Sequence, residues 1–317
     1  MYNYLDFEKN VADLERQINE LKKIEEASED LHVQEEILRL EERSRVALAS
    51  LYKKLTPWQK TQVARHPLRP HFIDYVAQLF TDVVPLAGDR KFGNDEAMQA
   101  GLARFEGQPI AFLGQEKGYD VETRVRHNFG SANPEGYRKA VRIMELANRF
   151  KLPLICLVDT AGAYPGVSAE ERGQAEAIAR STAAMLDLTV PVVVVIVGEG
   201  GSGGAIAIAA GNFVYMLEHS IYSVISPEGA ASILWRDSSR AQEAAANMCI
   251  TAQDLFNLKV IDGIIPEPLG GAQREPQAAI AATGKVIGAA LADMIGKDGD
   301  TLKRERHERF LQIGRNL

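Results

Sequence analysis

The chain has little of the residue types that carry most side-chain chemistry. Only two of its 317 residues are cysteine, Cys156 and Cys249. They form no Cys-x-x-Cys pair, which excludes a cysteine zinc site within this chain, and such sparse usage fits a reducing compartment. Basic charge is outweighed, with 36 Lys and Arg against 43 Asp and Glu and a formal net charge of −7. That argues against a general nucleic-acid surface while remaining compatible with a local basic pocket for an anion. Long apolar runs are missing too. The longest β-rich run, Val190 to Val197, is too short to cross a bilayer, and the start, MYNYLDFEKN, lacks a basic segment followed by an apolar one. A cytoplasmic protein that uses neither membrane nor nucleic acid is expected.

What remains is an ordinary soluble composition, 46% hydrophobic and 25% charged, on a chain long enough for a substantial core. Near the start, Val11, Leu14, Ile18 and Leu21 keep heptad spacing until Glu25 breaks it. A second helical stretch follows the polar Ser28-Glu29-Asp30, so residues 1–55 are expected to be a helical arm folded as a hairpin. TPWQK and ARHPLRP read as an irregular, proline-rich connection, after which short β-like runs separated by glycine begin at about Leu86. The body is expected over residues 56–275. Its tail, 276–317, is expected to be a helical extension whose charged end, KRERHERF, is a solvated helix face.

Two segments of the body look like copies of one unit: LPLICLVDTAGAYPG (Leu152 to Gly166) and VPVVVVIVGEGGSGG (Val190 to Gly204). Each has an X-Pro, an apolar strand and a glycine loop, and their prolines, Pro153 and Pro191, lie 38 residues apart. Strands apolar on both faces belong in a parallel sheet flanked by helices. Between the copies Ser168 and Glu171 suggest a capping box that opens a helix.

The second glycine loop, GEGGSGGA, fits several chemistries. Gly198, Gly200 and Gly203 match a dinucleotide fingerprint with Glu218 twenty residues on. Only about eight residues then precede the next β-like run, whereas a parallel crossover normally needs about a dozen or more. Gly200, Ser202 and Gly204 match a nucleophile elbow, which needs a histidine base, yet neither His219 nor His307 sits beside a loop signature. A third reading uses the backbone: adjacent glycines at a helix start leave bare N–H donors, favoured by the helix dipole, for phosphate or an enolate oxyanion. Tight packing against a neighbouring element is a fourth. The first copy's loop, DTAGAYPG, is a second candidate donor loop.

Several stretches together resemble the α subunits of the carboxyltransferase component of bacterial-type acetyl-CoA carboxylase. They are ARHPLRP (64–70), LAGDR (86–90), NFGSANPEGYRKA (128–140), DTAGAYPGVSAEERGQ (159–174), GEGGSGGA (198–205), YSVISPEGAASILW (222–235) and IIPEPLGGA (264–272). The resemblance implies an α/β, crotonase-like spiral of β-β-α units. It implies transfer of CO2 from carboxybiotin, carried on the biotin carboxyl carrier protein, to acetyl-CoA, giving malonyl-CoA for fatty acid biosynthesis. A partner β subunit carrying a zinc ribbon completes the active site in an α2β2 assembly that works with biotin carboxylase, and no metal is implied in this chain. By resemblance Gly203 and Gly204 hold the biotin ureido oxygen, while Gly162, Ala163, Tyr164, Gly201 and Lys117 contact substrate or biotin. Two positions depart from the family pattern. Ala161 replaces a proline and removes a φ restraint, and Gln115-Glu116 replaces His-Gln, which sets a carboxylate beside Lys117.

Overall fold

The computed structural model describes residues 2–25 and 31–315. Helices α1 (Lys9–Glu25) and α2 (Leu31–Tyr52) form the arm, and the expected connection at Ser28 to Asp30 lies outside the described residues. Val11, Leu14 and Ile18 of α1 are buried with Ile37, Leu40, Leu48 and Tyr52 of α2, as the heptad spacing requires. The arm packs on the body: Arg274 donates to Glu15 at 2.7 Å, and Gln273 donates to the Tyr52 hydroxyl at 3.2 Å.

TPWQK is not irregular but opens a helix, α3 (Pro57–Ala64), which α4 (Phe72–Leu79) follows. Thr56 Oγ1 accepts from the Gln59 N–H at 3.2 Å, and the Gln59 side chain accepts from the Thr56 N–H at 2.8 Å. Pro57 sits at the first helical position, where its missing N–H costs nothing.

The sheet begins with an antiparallel meander of β1 (Phe80–Pro85), β2 (Met98–Phe105) and β3 (Gln108–Gln115). After α5 (Val121–Arg126) and α6 (Pro134–Phe150) come β4 (Leu154–Thr160), α7 (Val167–Glu171), α8 (Gln174–Asp187), β5 (Val192–Gly201) and α9 (Ser202–Ala209). The chain continues through β6 (Phe213–Leu217), β7 (Ile221–Ser223), α10 (Pro227–Trp235), α11 (Ala241–Asn247) and α12 (Ala252–Asn257). It ends with β8 (Gly263–Ile265), α13 (Pro276–Met294) and α14 (Gly299–Gln312). The strand order is β1-β2-β3-β4-β5-β6-β8, with β7 beside the end of β5, and every pairing from β3 onward is parallel.

The two proline-led copies lie side by side and in register, Leu154 opposite Val192 through Val158 opposite Ile196. Every residue of both strands is buried. Their side chains alternate as a pleat demands. Cys156, Val158, Val194 and Ile196 enter the core under α6 and α8, whereas Ile155, Leu157, Val193 and Val195 enter the core with Phe72 of α4 and with Ile280 and Leu291 of α13. Helix α13 of the tail thus covers one face of the central strands.

Two expectations fail here for identifiable reasons. Ser168 and Glu171 form no capping box; α8 instead starts after Gly173, whose left-handed φ of 78° turns the chain between α7 and α8. The charged end is not wholly solvated, because Arg306 is fully buried. Its guanidinium donates to the Leu188 and Val190 carbonyls at 2.6 and 2.9 Å and to the Asn212 side chain at 2.6 Å, with longer bonds to Met185 and Leu186. The C-terminal carbonyls of α8 lack intrahelical partners, and a planar fork of five donors suits them. Burial without a carboxylate pulls Arg306 down to about 10.

Candidate active site

The site lies where β3, β4 and β5 end, the usual binding edge of a parallel sheet. Strand β5 turns into α9 within one residue, and Ser202 takes a left-handed φ of 52° at the corner. An L-residue at that φ stores backbone strain and marks an elbow. Just before it the pairing of β4 with β5 shifts from Val158 opposite Ile196 to Thr160 opposite Gly200. Asp159 fills the irregularity, its Oδ1 accepting from the Glu199 N–H at 2.9 Å, and a Cβ on Gly198 would sit 2.4 Å from that oxygen.

The glycines of this loop divide by what surrounds them. A Cβ on Gly201 would lie 2.1 Å from the Ala161 carbonyl oxygen, and one on Gly204 would lie 2.7 Å from both Ala163 N and the Gly162 carbonyl carbon. Close approach of the two copied loops therefore requires both. Gly203 is different. Its Cβ would meet only the Ile178 side chain, at 3.3 Å, and the residue is partly exposed beside exposed Ser202. Gly203 and Gly204 occupy the first turn of α9, where backbone N–H groups have no intrahelical acceptor and the positive end of the helix dipole lies.

The opposing loop is pinned. Thr160 Oγ1 accepts from the Gly162 N–H at 3.0 Å and donates to the Gly162 carbonyl at 2.9 Å, which restrains the turn around Ala161 without a proline. Gln174 bonds the Tyr164 carbonyl at 2.9 Å and the Ala132 carbonyl at 3.0 Å. Gly162, Ala163 and Gly201 therefore lie together against the start of α9, while Tyr164 is held from the α8 side by Gln174. Lys117 is one layer behind, its Nζ 2.5 Å from Asp159 Oδ1. Glu116 does not face that lysine: it is buried and accepts from the Gly118 and Ile73 N–H groups at 2.7 and 3.1 Å, with His71 Nδ1 at 3.2 Å. Burial raises the Glu116 carboxyl, but the bonds from His71 and the backbone outweigh it and hold it below the ordinary value.

Sequence reasoning missed the residues that hold the loops in place. Gln115, buried at the end of β3, donates to the Gly204 carbonyl at 3.1 Å and accepts from the Asp159 N–H at 3.2 Å, so it ties both loops together. A buried polar residue ending an apolar strand was the available signal. Behind the elbow, Arg65 grips Glu199 with bonds of 2.6 and 3.0 Å and Glu228 with one of 2.7 Å. Buried Arg69 forks onto Glu267 at 2.5 and 2.8 Å and donates to the Val197 carbonyl at 2.8 Å. Burial opposes ionisation of Glu267; Arg69 overrides it and holds the carboxyl at about 2. Four separate motifs, ARHPLRP, GEGGSGGA, YSVISPEGAASILW and IIPEPLGGA, meet in these ion pairs.

An apolar cavity of about 490 Å³ opens beside Ser202 and Gly203, walled by Ile206, Val214, Tyr222, Val224 and Phe310. No histidine or carboxylate lines it. His219 lies instead against Tyr52, with ring centroids 5.3 Å apart, and His307 bonds the Leu186 carbonyl. Among the described residues the elbow thus has a strained serine, and neither histidine nor carboxylate in the lining of its cavity. Glu218 accepts from the Glu267 N–H at 3.2 Å, away from the glycine turn, and the eight-residue α9 is the whole helix between β5 and β6. Among the described residues no group of three His, Cys, Asp or Glu could hold a metal ion.

The profile of the family described as acetyl co-enzyme A carboxylase carboxyltransferase-like matches residues 4–314. The chain belongs to that family. The acetyl-coenzyme A carboxylase carboxyl transferase subunit alpha of Bartonella bacilliformis is 74% identical over 317 residues, 100% of both chains, and that of Brucella ovis 69% identical over the same span. Solved structures share the fold of this carboxyltransferase family at low identity. A transcarboxylase 12S structure with methylmalonyl-coenzyme A bound has a TM-score of 0.56 at 22% identity, over 69% of this chain and 40% of that longer one. The β subunit of Pseudomonas aeruginosa geranyl-CoA carboxylase gives 0.56 at 18%, over 82% and 47%, and a Pseudomonas malonate decarboxylase hetero-tetramer with coenzyme A gives 0.56 at 19%, over 68% and 86%. The crotonase-like fold accounts for the repeated strand units and the short crossover through α9.

Proposed function

We propose that this chain is the α subunit of an acetyl-CoA carboxylase carboxyltransferase, acting in CO2 transfer from carboxybiotin to acetyl-CoA to form malonyl-CoA. Full-length identity of 74% to a curated α subunit carries this conclusion. The chemistry of the site fits it. Decarboxylation leaves negative charge on the ureido oxygen of biotin, which supplies the CO2 when the carrier protein presents it. The N–H groups of Gly203 and Gly204 are the donors for that charge, fixed before reaction by the α9 start, Thr160 and Gln115. Bare donors beside an apolar cavity suit a compact ring system with one polar oxygen. Ser202 needs no nucleophilic role. Gly162, Ala163, Tyr164 and Gly201 shape the wall opposite the donors, and Lys117, through Asp159, supports the base of the loop.

Among the described residues the α9 start supplies the helix-start donors at the cavity, while the reaction develops charge on both the ureido oxygen and the thioester enolate. The second set belongs to a β subunit, and exposed Val224, 84% accessible, lines the cavity beside Ser202 and Gly203 where such a partner would cover it. The working enzyme is then an α2β2 assembly in the cytoplasm, served by biotin carboxylase and the biotin carboxyl carrier protein. Reconstitution tests this. The chain alone should give no malonyl-CoA from carboxybiotin and acetyl-CoA, and addition of a β subunit should restore transfer. Full activity without the β subunit would exclude the shared site.

A further inference from the structure

A second charged feature lies on the other side of α8. Helix α8 turns Ile178 toward Gly203, whereas Arg180, two residues on, faces a separate cleft of about 300 Å³ between the 87–91 loop and α6. Arg90, Lys91, Arg138, Arg142 and Arg180 line it, against only two carboxylates, Asp89 and Glu145. In a chain of net charge −7, five cations against two acids on so small a cleft is a strong local reversal of sign.

The carboxylates neutralise it only in part: Arg138 is held by Asp89 and Glu135, which leaves Arg90, Lys91, Arg142 and Arg180 against Glu145 in the lining. Asp89 is already satisfied: Oδ2 accepts from Arg138 at 2.7 Å, and Oδ1 accepts from the Lys91, Phe92 and Gly93 N–H groups at 2.8 to 3.0 Å. Among the described residues the side chains of Arg90 and Lys91 have no bonded partner, and Arg180 has only a loose contact to Glu176 at 3.7 Å. Arg142 donates to the Ala87 carbonyl at 3.0 Å, yet its Nε is buried with no acceptor. A buried, unpaired guanidinium N–H among like charges is costly unless an anion completes it.

We infer that this cleft, between the 87–91 loop and helices α6 and α8, binds a phosphate-bearing anion. Arginine forks match the paired oxygens of phosphate, and the surplus of positive charge calls for more than one negative charge. The volume suits a pyrophosphate or the phosphorylated end of a nucleotide. The inference is independent of the proposed activity, because α8 stands between this cleft and Gly203.

Isothermal titration calorimetry on the full chain at low salt tests it, with inorganic pyrophosphate and adenosine 3′,5′-bisphosphate as probes. At least one probe should bind saturably. Affinity should fall at least about tenfold in each of the exposed substitutions Arg90→Glu and Arg180→Glu, with the fold checked by circular dichroism, and should weaken with added salt. Tighter binding of the nucleotide would identify a phosphorylated nucleotide as the source, and equal or tighter binding of pyrophosphate would identify free inorganic phosphate; both support the site. Arg124→Glu, in the cationic cavity beside Lys117, should leave binding unchanged. No saturable binding of either probe at millimolar concentration, or loss in Arg124→Glu while the Arg90 and Arg180 variants bind normally, would overturn it.

Discussion

Gly204→Ala and Gly203→Ala differ by one position on the same helix turn and should behave oppositely. At Gly204 the added methyl lies 2.7 Å from two backbone atoms of the opposing loop, against an ordinary contact beginning at 3.4 Å, so the loop must retreat by roughly 0.7 Å. Backbone cannot rotate out of the way as a side chain can, and overpacking of this kind costs about 1–3 kcal/mol. At Gly203 the methyl lies 3.3 Å from Cγ2 and 3.4 Å from Cδ1 of Ile178, contacts that a shift of a few tenths of an ångström relieves. Replacing glycine by alanine in a helix gains up to about 1 kcal/mol, so Gly203→Ala should be neutral or slightly stabilising. Urea unfolding followed by circular dichroism should therefore show a lower midpoint for Gly204→Ala alone, a shift that at constant slope corresponds to a loss of about 1–3 kcal/mol. Reconstituted transfer should also fall in that variant, since Gly162 and Ala163 move with the loop. Equal midpoints for the two variants would refute the packing argument.

Arg306→Leu should destabilise the chain by more than about 3 kcal/mol, because five carbonyl-type acceptors lose their buried donor, and Arg306→Lys should recover only part of the loss; thermal unfolding of both variants checks this. Glu267 sits at about 2 against an ordinary 4.5, so its contribution is complete above pH 4.5 and fades as pH falls toward 2. The stake is on the order of 3 kcal/mol. Unfolding free energies across that range should decline less steeply in Glu267→Gln than in the parent, and parallel declines would contradict the assignment.

How far the sequence could be read follows from the range of the interactions. The proline-led strands, their parallel pairing and the arm helices are written in local periodicity, and the structure has them. The 38-residue spacing of Pro153 and Pro191 is the same offset that sets Leu154 opposite Val192. Thr56 and Gln59 carried a capping signal that proline obscured, since Pro57 marks a helix start as readily as a turn. Ser168 and Glu171 had the right spacing for a cap, but Gly173 closes the turn two residues later and α8 begins there. Arg306 could not be placed from its own neighbours, because the carbonyls it serves lie more than a hundred residues away. The glycine loop was ambiguous for the same reason. Packing explains Gly201 and Gly204 only once the Ala161 to Ala163 loop is seen against them, and that contact leaves Gly203 as the glycine whose role is not simple fit.

The central claim is that backbone N–H groups at the α9 start stabilise the anion of the transfer reaction. The most direct measurement is kcat of the reconstituted enzyme for Gly203→Pro compared with Gly203→Ala. Alanine keeps the N–H, while proline deletes it; because Ser202, at φ 52°, precedes the new ring, circular dichroism and the urea midpoint must first show both variants folded. Loss of one such donor is worth about 3 to 4 kcal/mol, so the proline variant should be slower by about 10²–10³ while the alanine variant stays near the parent. Equal rates for the two variants, with the fold of both intact, would contradict the claim.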